Sequence, residues 1–229
     1  MRPKIALLDA NVLYSAPLRD TLVTLGVFGV YSPRWTAQIH EEWIGNLLLN
    51  RPDLTRRDLE RTRDLMDFHL PDALVSEHES LVEQLSLPDA NDRHVLAMAI
   101  RGGAQVLVTF NSKDFPRHEL ERWNLVAQNP DEFLVSLLRA DAAQVTRALA
   151  NQRARLKHPP LSVAQFLANL KLQRLPRFAA RSNRLAMICR FTPRDFPFVS
   201  GAARNRAANS PAIRRRAVRF SRAVARRRA

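Results

Sequence analysis

Short blocks of consecutive apolar residues, each followed by a polar turn, punctuate the first 130 positions of the chain. Ile5-Ala6-Leu7-Leu8 is the first, and Asp9-Ala10-Asn11 follows it directly. Val106-Leu107-Val108-Thr109 is the second, running into Asn111-Ser112-Lys113-Asp114, and Leu125-Val126-Ala127 is a third, shorter one. Unbroken apolar runs of this length suit strands covered on both faces, whereas a half-exposed strand would alternate. The stretches between them have the helical period. Strands separated by helices predict βαβ units and a parallel sheet.

The helical stretches carry their own start and stop signals. Ser32-Pro33 has the form of a helix start, with serine as N-cap and proline at the first helical position, and Ile39, Trp43 and Leu47 then recur every four residues. Thr55 with Asp58 three residues on predicts a second helix running to about Phe68, and His78 to Leu85 a shorter one. Leu87 to Asp92 is a turn feeding a helix with Val95, Leu96, Ala99 and Ile100 on one face, stopped by Gly102-Gly103. From Asp131 to about Leu156 the pattern is helical again. After Pro159-Pro160 a last amphipathic segment carries Phe166, Leu167 and Leu170.

Charge changes the picture only at the far end. The net charge of +14 over 229 residues suggests a nucleic-acid partner, because basic side chains neutralise phosphates. Residues 181–229, however, hold 14 Arg against the single acid Asp195, which leaves only +1 for residues 1–180. That tail is rich in Arg and Ala, is interrupted by Pro193, Pro197 and Pro211, and reads as disordered. It is equally a nucleic-acid arm or the product of a shifted reading frame. The organisation expected is a globular domain over 1–132, a helical extension over 133–180 and the basic tail over 181–229. With no long apolar run, a soluble cytoplasmic protein without a membrane span is expected. Cys189 is the lone cysteine, so thiolate zinc sites and internal disulfides are excluded and any metal would rest on oxygen ligands.

The chemistry must then lie in the acids. Asp9 follows the first strand, Glu42 lies within a helix, Asp89 and Asp92 stand at a helix entrance, and Asp114 follows the second strand. Parallel sheets bind ligands at the carboxyl ends of their strands, where Asp9 and Asp114 could meet. Carboxylates gathered there repel one another unless a cation intervenes, and Mg²⁺ or Mn²⁺ suits an all-oxygen site. Each acid alone has a plainer reading. Asp9 and Asp114 serve as well as turn residues, Asp92 as an N-cap, Glu42 as a solvated helix residue, and His94 as a packing residue. Trp35 and Trp43 read as core.

Taken together, the strand with Asp9-Ala10-Asn11-Val12-Leu13, Glu42-Trp43 in a helix, Asp89-x-x-Asp92-Arg93-His94-Val95-Leu96-Ala97, and Val108-Thr109-Phe110-Asn111-Ser112-Lys113-Asp114-Phe115 resemble a PIN domain of the kind found in VapC-type toxins, over roughly Lys4 to Glu132. The resemblance implies a three-layer α/β/α fold with a central parallel sheet and Mg²⁺- or Mn²⁺-dependent RNA cleavage leaving 5′-phosphate and 3′-hydroxyl ends. It further implies a toxin role countered by an antitoxin protein, and a homodimer, for which the Thr55–Phe68 helix is a candidate surface. Asp9, Glu42 and Asp92 match the acidic ligands, with Glu42 preferred to its neighbour Glu41. Asp89 is an extra candidate ligand. Either Asn111 or Asp114 stands at the place of the fourth acid, and Asn11 or Thr109 could orient water or a phosphate. Two other readings stay open. A carboxylate-based phosphatase would place an acid where Asn11 stands, and a non-catalytic RNA- or protein-binding module would account for the neutral Asn111.

Overall fold

The computed structural model describes residues 4–76, 79–85 and 87–186. Four parallel strands form the sheet in the order β2-β1-β3-β4: β1 (Ile5–Leu8), β2 (Ser32–Arg34), β3 (Val106–Val108) and β4 (Val126–Gln128). Ala6, Leu7 and Leu8 of β1 and all of β3 are buried. Successive strand residues point to opposite faces, so burial of every one requires covering layers on both sides. The expected three-layer α/β/α arrangement follows.

The covering helices are α1 (Ala10–Leu13), α2 (Ala16–Val27), α3 (Ala37–Asn50), α4 (Arg56–His69), α5 (Glu79–Val82), α6 (Arg93–Arg101), α7 (Arg117–Glu121), α8 (Pro130–Ala140), α9 (Ala142–Arg155), α10 (Val163–Leu172) and α11 (Pro176–Ala186). Thr55 caps α4 as its spacing predicts, accepting from the Asp58 amide at 3.2 Å. α6 packs on β1 and ends at Gly102, and Gly103 follows with φ +61°, a conformation that favours glycine.

One sequence expectation is corrected. Ser32-Pro33 begins no helix: these residues pair with β1, Ala6 opposite Pro33, as the edge strand β2. Proline is tolerated at a sheet edge, where its missing N–H costs no ladder bond. α2 lies so close that a Cβ on Gly26 would stand 2.9 Å from the Pro33 ring. The N-cap of the following helix is Thr36, which accepts from the Ile39 amide at 3.2 Å. The helical pattern from Asp131 to Leu156 is carried by two helices, parted where the Asp141 side chain caps α9 by accepting from the Gln144 amide at 2.8 Å. Helix α11 runs on through Arg181 to Ala186, across the boundary expected for the basic tail. Cys189 and the rest of that tail lie outside the described residues, as does His78 at the start of the short helix expected over 78–85, of which Glu79–Val82 is helical.

The last four helices are tied firmly to what precedes them. Gln144 Nε2 donates to the Phe28 carbonyl at 2.6 Å, Gln152 Nε2 to Asp20 at 2.8 Å and Arg155 Nη2 to Thr24 Oγ1 at 2.6 Å, fastening α9 along α2. Buried Asp131 accepts from the Arg177 and Phe178 amides at 3.1 and 2.8 Å, so a carboxylate at the start of α8 caps the N-terminus of α11. Phe133 and Phe178 are fully buried. Truncating either would cost about 3–5 kcal/mol.

Candidate functional site

β1 and β3 run parallel and end side by side, Leu8 opposite Val108, so the residues that follow them emerge at one edge of the sheet. Asp9 follows β1, its amide donating to the Val108 carbonyl at 3.1 Å, and Thr109 follows β3. Thr109 Oγ1 donates to Asp9 Oδ2 at 2.6 Å and Asn11 Nδ2 to the same oxygen at 2.5 Å. The Asn11 amide also reaches Thr109 Oγ1 at 2.9 Å, and its carbonyl oxygen accepts from the Phe110 amide at 3.0 Å. The Asn111 amide donates to Thr109 Oγ1 at 3.0 Å. Four of the sequence candidates thus form one hydrogen-bonded unit that joins the two strand ends.

Asp9 occupies the N-cap position of α1, yet its side chain makes no capping bond, and the same is true of Asp92 before α6. The plain N-cap role is therefore unfilled at both. Asp9 is only 8% exposed. Burial, the largest influence, pushes its carboxyl up to about 6; the Thr109 hydrogen bond opposes this, and the charges of Glu42 and Asp92 add to it. Residues from three separate elements thus bear on one buried carboxyl. Glu41, by contrast, is exposed and pairs with Arg56 at 2.9 Å and Arg63 at 3.7 Å on α4, so of the two neighbours it is Glu42 that acts on Asp9.

The remaining candidates are placed differently. Asp89 caps the 3₁₀ turn 90–92, accepting from the Asn91 amide at 2.9 Å and side chain at 3.0 Å. Asp114 is half-buried in the 3₁₀ turn 112–114 and is not among the charges that shift Asp9. The sequence reads His94 as a helix-face or packing residue; in the structure its Nε2 stands 3.0 Å from Glu42 Oε1. Burial alone would lower the His94 pKa; contact with Glu42 and the Asn91 carbonyl holds it above its ordinary value. Helical position gave no sign of that contact, because Glu42 and His94 lie on different helices. Among the described residues no three His, Cys, Asp or Glu side chains converge closely enough to hold a metal ion as they stand.

Residues 6–113 match the PIN domain family, and residues 130–184 match the family described as the VapC50 C-terminal domain. The PIN match thus takes in somewhat less than half of the chain. The PIN match takes in Asp9, Asn11, Glu42, Asp89, Asp92, Thr109 and Asn111 and stops one residue short of Asp114. A Mycobacterium tuberculosis protein named "Putative ribonuclease VapC50" is 36% identical over 94 residues, 41% of this chain and 55% of that protein. The chain therefore spans about half the length of that relative. No solved structure matches it. The four-stranded parallel sheet with both faces covered is the fold of the PIN domain, and the helices α8 to α11 coincide with the second family match. No described helix is long and apolar enough to cross a membrane.

Proposed function

We propose that the chain is a metal-dependent endoribonuclease, the toxin half of a toxin–antitoxin pair, with Asp9, Glu42 and Asp92 as its essential acids. One observation carries the reading: a buried carboxyl at the ends of two parallel strands is held on one side by Thr109 and Asn11 and faces the charges of two further acids. A cluster kept under that repulsion costs stability and is retained where it serves a purpose. The PIN-domain match and the name of the mycobacterial relative support ribonuclease chemistry.

The donor set suits a hard divalent cation. It is all oxygen, and the repulsion felt by Asp9 is what a cation would relieve. Asp9, Glu42 and Asp92 would hold Mg²⁺ or Mn²⁺, with Asp89 and Asp114 as outer members reached through water. Glu42 must first give up its contact with His94, and the acids must draw closer than they stand. When bound, such a cation supplies positive charge for the phosphoryl oxygens and acidifies a water for attack on phosphorus. Thr109 and Asn11 fix one oxygen of Asp9 and so set the direction of its carboxylate. Asn111, hydrogen-bonded through its amide to Thr109, serves as a neutral residue beside the acids. RNA is the substrate and a protein antitoxin the partner; if a homodimer forms, the exposed, charged face of α4 is the surface offered for it.

The test is incubation of the purified chain with a pool of structured and single-stranded RNA in Mn²⁺, Mg²⁺ or EDTA, beside an Asp9→Asn/Asp92→Asn variant of matching circular dichroism. Cutting that needs metal, is absent in the variant and leaves 5′-phosphate ends is the expected result. The His94–Glu42 pair and the neutral Asn111 favour a second reading, a non-catalytic RNA-binding module. RNA binding with no cutting under either metal would establish it in place of the nuclease.

A further inference from the structure

The turn between α10 and α11 reaches the turn after α1 and the loop after β3, the second of which helps to build the candidate site. Gln173 accepts a hydrogen bond from Ser15 Oγ, in the turn between α1 and α2. The next residue, Arg174, lays its guanidinium carbon 4.3 Å from the centre of the Phe110 ring. Phe110 stands between Thr109 and Asn111, and its amide donates to Asn11, which in turn holds Asp9. One turn from the C-terminal helices thus places a cation against the loop that follows β3.

That cation is held in an unusual way. Arg174 has φ +65°, the left-handed conformation that normally calls for glycine after a helix. The Leu175 amide reaches back to the Leu170 carbonyl at 3.3 Å and the Arg174 amide to Lys171 at 3.1 Å, the bonding of a Schellman turn. Leu175 is fully buried, which locks the turn, while Arg174 itself is exposed. Among the described residues the Arg174 side chain makes no hydrogen bond and no ion pair, and its guanidinium lies over the Phe110 ring. A guanidinium held over an aromatic ring keeps its N–H groups available, and such a group can grip a phosphate with two parallel hydrogen bonds.

We infer that Arg174 is a phosphate-binding residue, supplied by the C-terminal helices, that holds a backbone phosphate of RNA beside the bond to be cut. The inference rests on the ribonuclease reading above for the identity of its ligand. An RNA strand entering a site of clustered carboxylates is repelled by them, and a fixed guanidinium at the rim offsets that repulsion and sets where the strand lies. Phe110 acts as the platform that orients the guanidinium. In this reading the C-terminal helices complete the substrate site of the PIN domain.

The experiment uses the full chain with Asp9→Asn, so that RNA is bound and not consumed. The probe is a single-stranded RNA of about twelve nucleotides in which one phosphate at a time is replaced by an uncharged methylphosphonate. With Arg174 present, neutralising one linkage is expected to weaken binding about tenfold, the loss of one charge-assisted contact. In Arg174→Gly that linkage becomes insensitive, and Arg174→Lys regains part of the sensitivity. Glycine suits the backbone at this position, so the variant should melt no lower than its parent; Arg174→Gln, which keeps a polar side chain but removes the charge, serves as a second variant. The same pattern of sensitive linkages with and without Arg174 would overturn the inference. Cutting by the unaltered chain in Mn²⁺ is scored in parallel. If it fails to cut while the Arg174-dependent linkage persists, the nuclease reading falls and the phosphate contact stands; if it cuts with no such linkage, the reverse holds.

Discussion

Helix α3 carries members of two polar clusters that differ in one respect. On one side His40 accepts from Trp43 Nε1 through Nδ1 at 3.0 Å and meets Asp67 Oδ1 with Nε2 at 3.2 Å, while Trp35 Nε1 donates to the same Asp67 oxygen at 2.7 Å. Every donor there has an acceptor, and burial holds the His40 pKa below its ordinary value. On the other side Glu42 joins Asp92 in opposing the charge of Asp9. The first cluster closes on itself and needs nothing from outside. The second sets like charges against one another, although Glu42 also meets His94. Buried polar groups that pair off are what a fold requires, and repulsion among neighbouring acids is a frequent mark of a functional site.

The comparison can be broken most sharply at its acidic member. Asp9→Asn is expected to lower metal-dependent RNA cleavage by more than about a hundredfold, because it removes the charge at the centre of the cluster. The same variant should melt at or above the temperature of the parent without metal, since a buried like charge is removed while Thr109 and Asn11 keep a partner. Cleavage assays and thermal denaturation of one preparation check both. A large fall in melting temperature would show that the Asp9 carboxylate is structural.

In the closed cluster the opposite result is expected. Asp67→Ala orphans Trp35 Nε1 and His40 Nε2 together and should cost about 2 kcal/mol of stability by denaturant titration, with the metal requirement for cleavage unchanged. Asp67 rides on α4, whose first turn depends on Thr55. Thr55→Ala should therefore cost about 1 kcal/mol, again without effect on the metal requirement. The smallest expected effect is at His94. Its contact with Glu42 must be exchanged for a cation, so His94→Gln should reduce the metal concentration for half-maximal cutting by a few-fold. A rise in that concentration would instead make His94 a supporting partner of the metal-bound Glu42.

Much of this was legible in the chain itself. β1, β3 and β4 are marked by unbroken apolar runs, α4 by Thr55 and Asp58, and the end of α6 by Gly102-Gly103. Asp9, Glu42 and Asp92 were named from their positions after a strand, inside a helix and at a helix start, and their mutual influence appears in the folded chain. The edge strand Ser32-Pro33-Arg34 was read as a helix start because it has only three residues and no apolar run, and only its pairing with β1 makes it a strand. Asp141 breaks a helix inside an otherwise continuous helical pattern, since an aspartate can cap a helix as readily as lie on its surface.

Consecutive residues thus determined the elements and the inventory of acids, because the alternation between buried and exposed positions and the signals that start and stop helices are local. Tertiary structure decided which of those groups share a space. It set Glu42 rather than Glu41 against Asp9, turned His94 onto Glu42, and brought Arg174 from the C-terminal helices onto Phe110. These contacts join residues far apart in the chain, and nothing in a local pattern encodes a distance that only the packing of helices on the sheet creates.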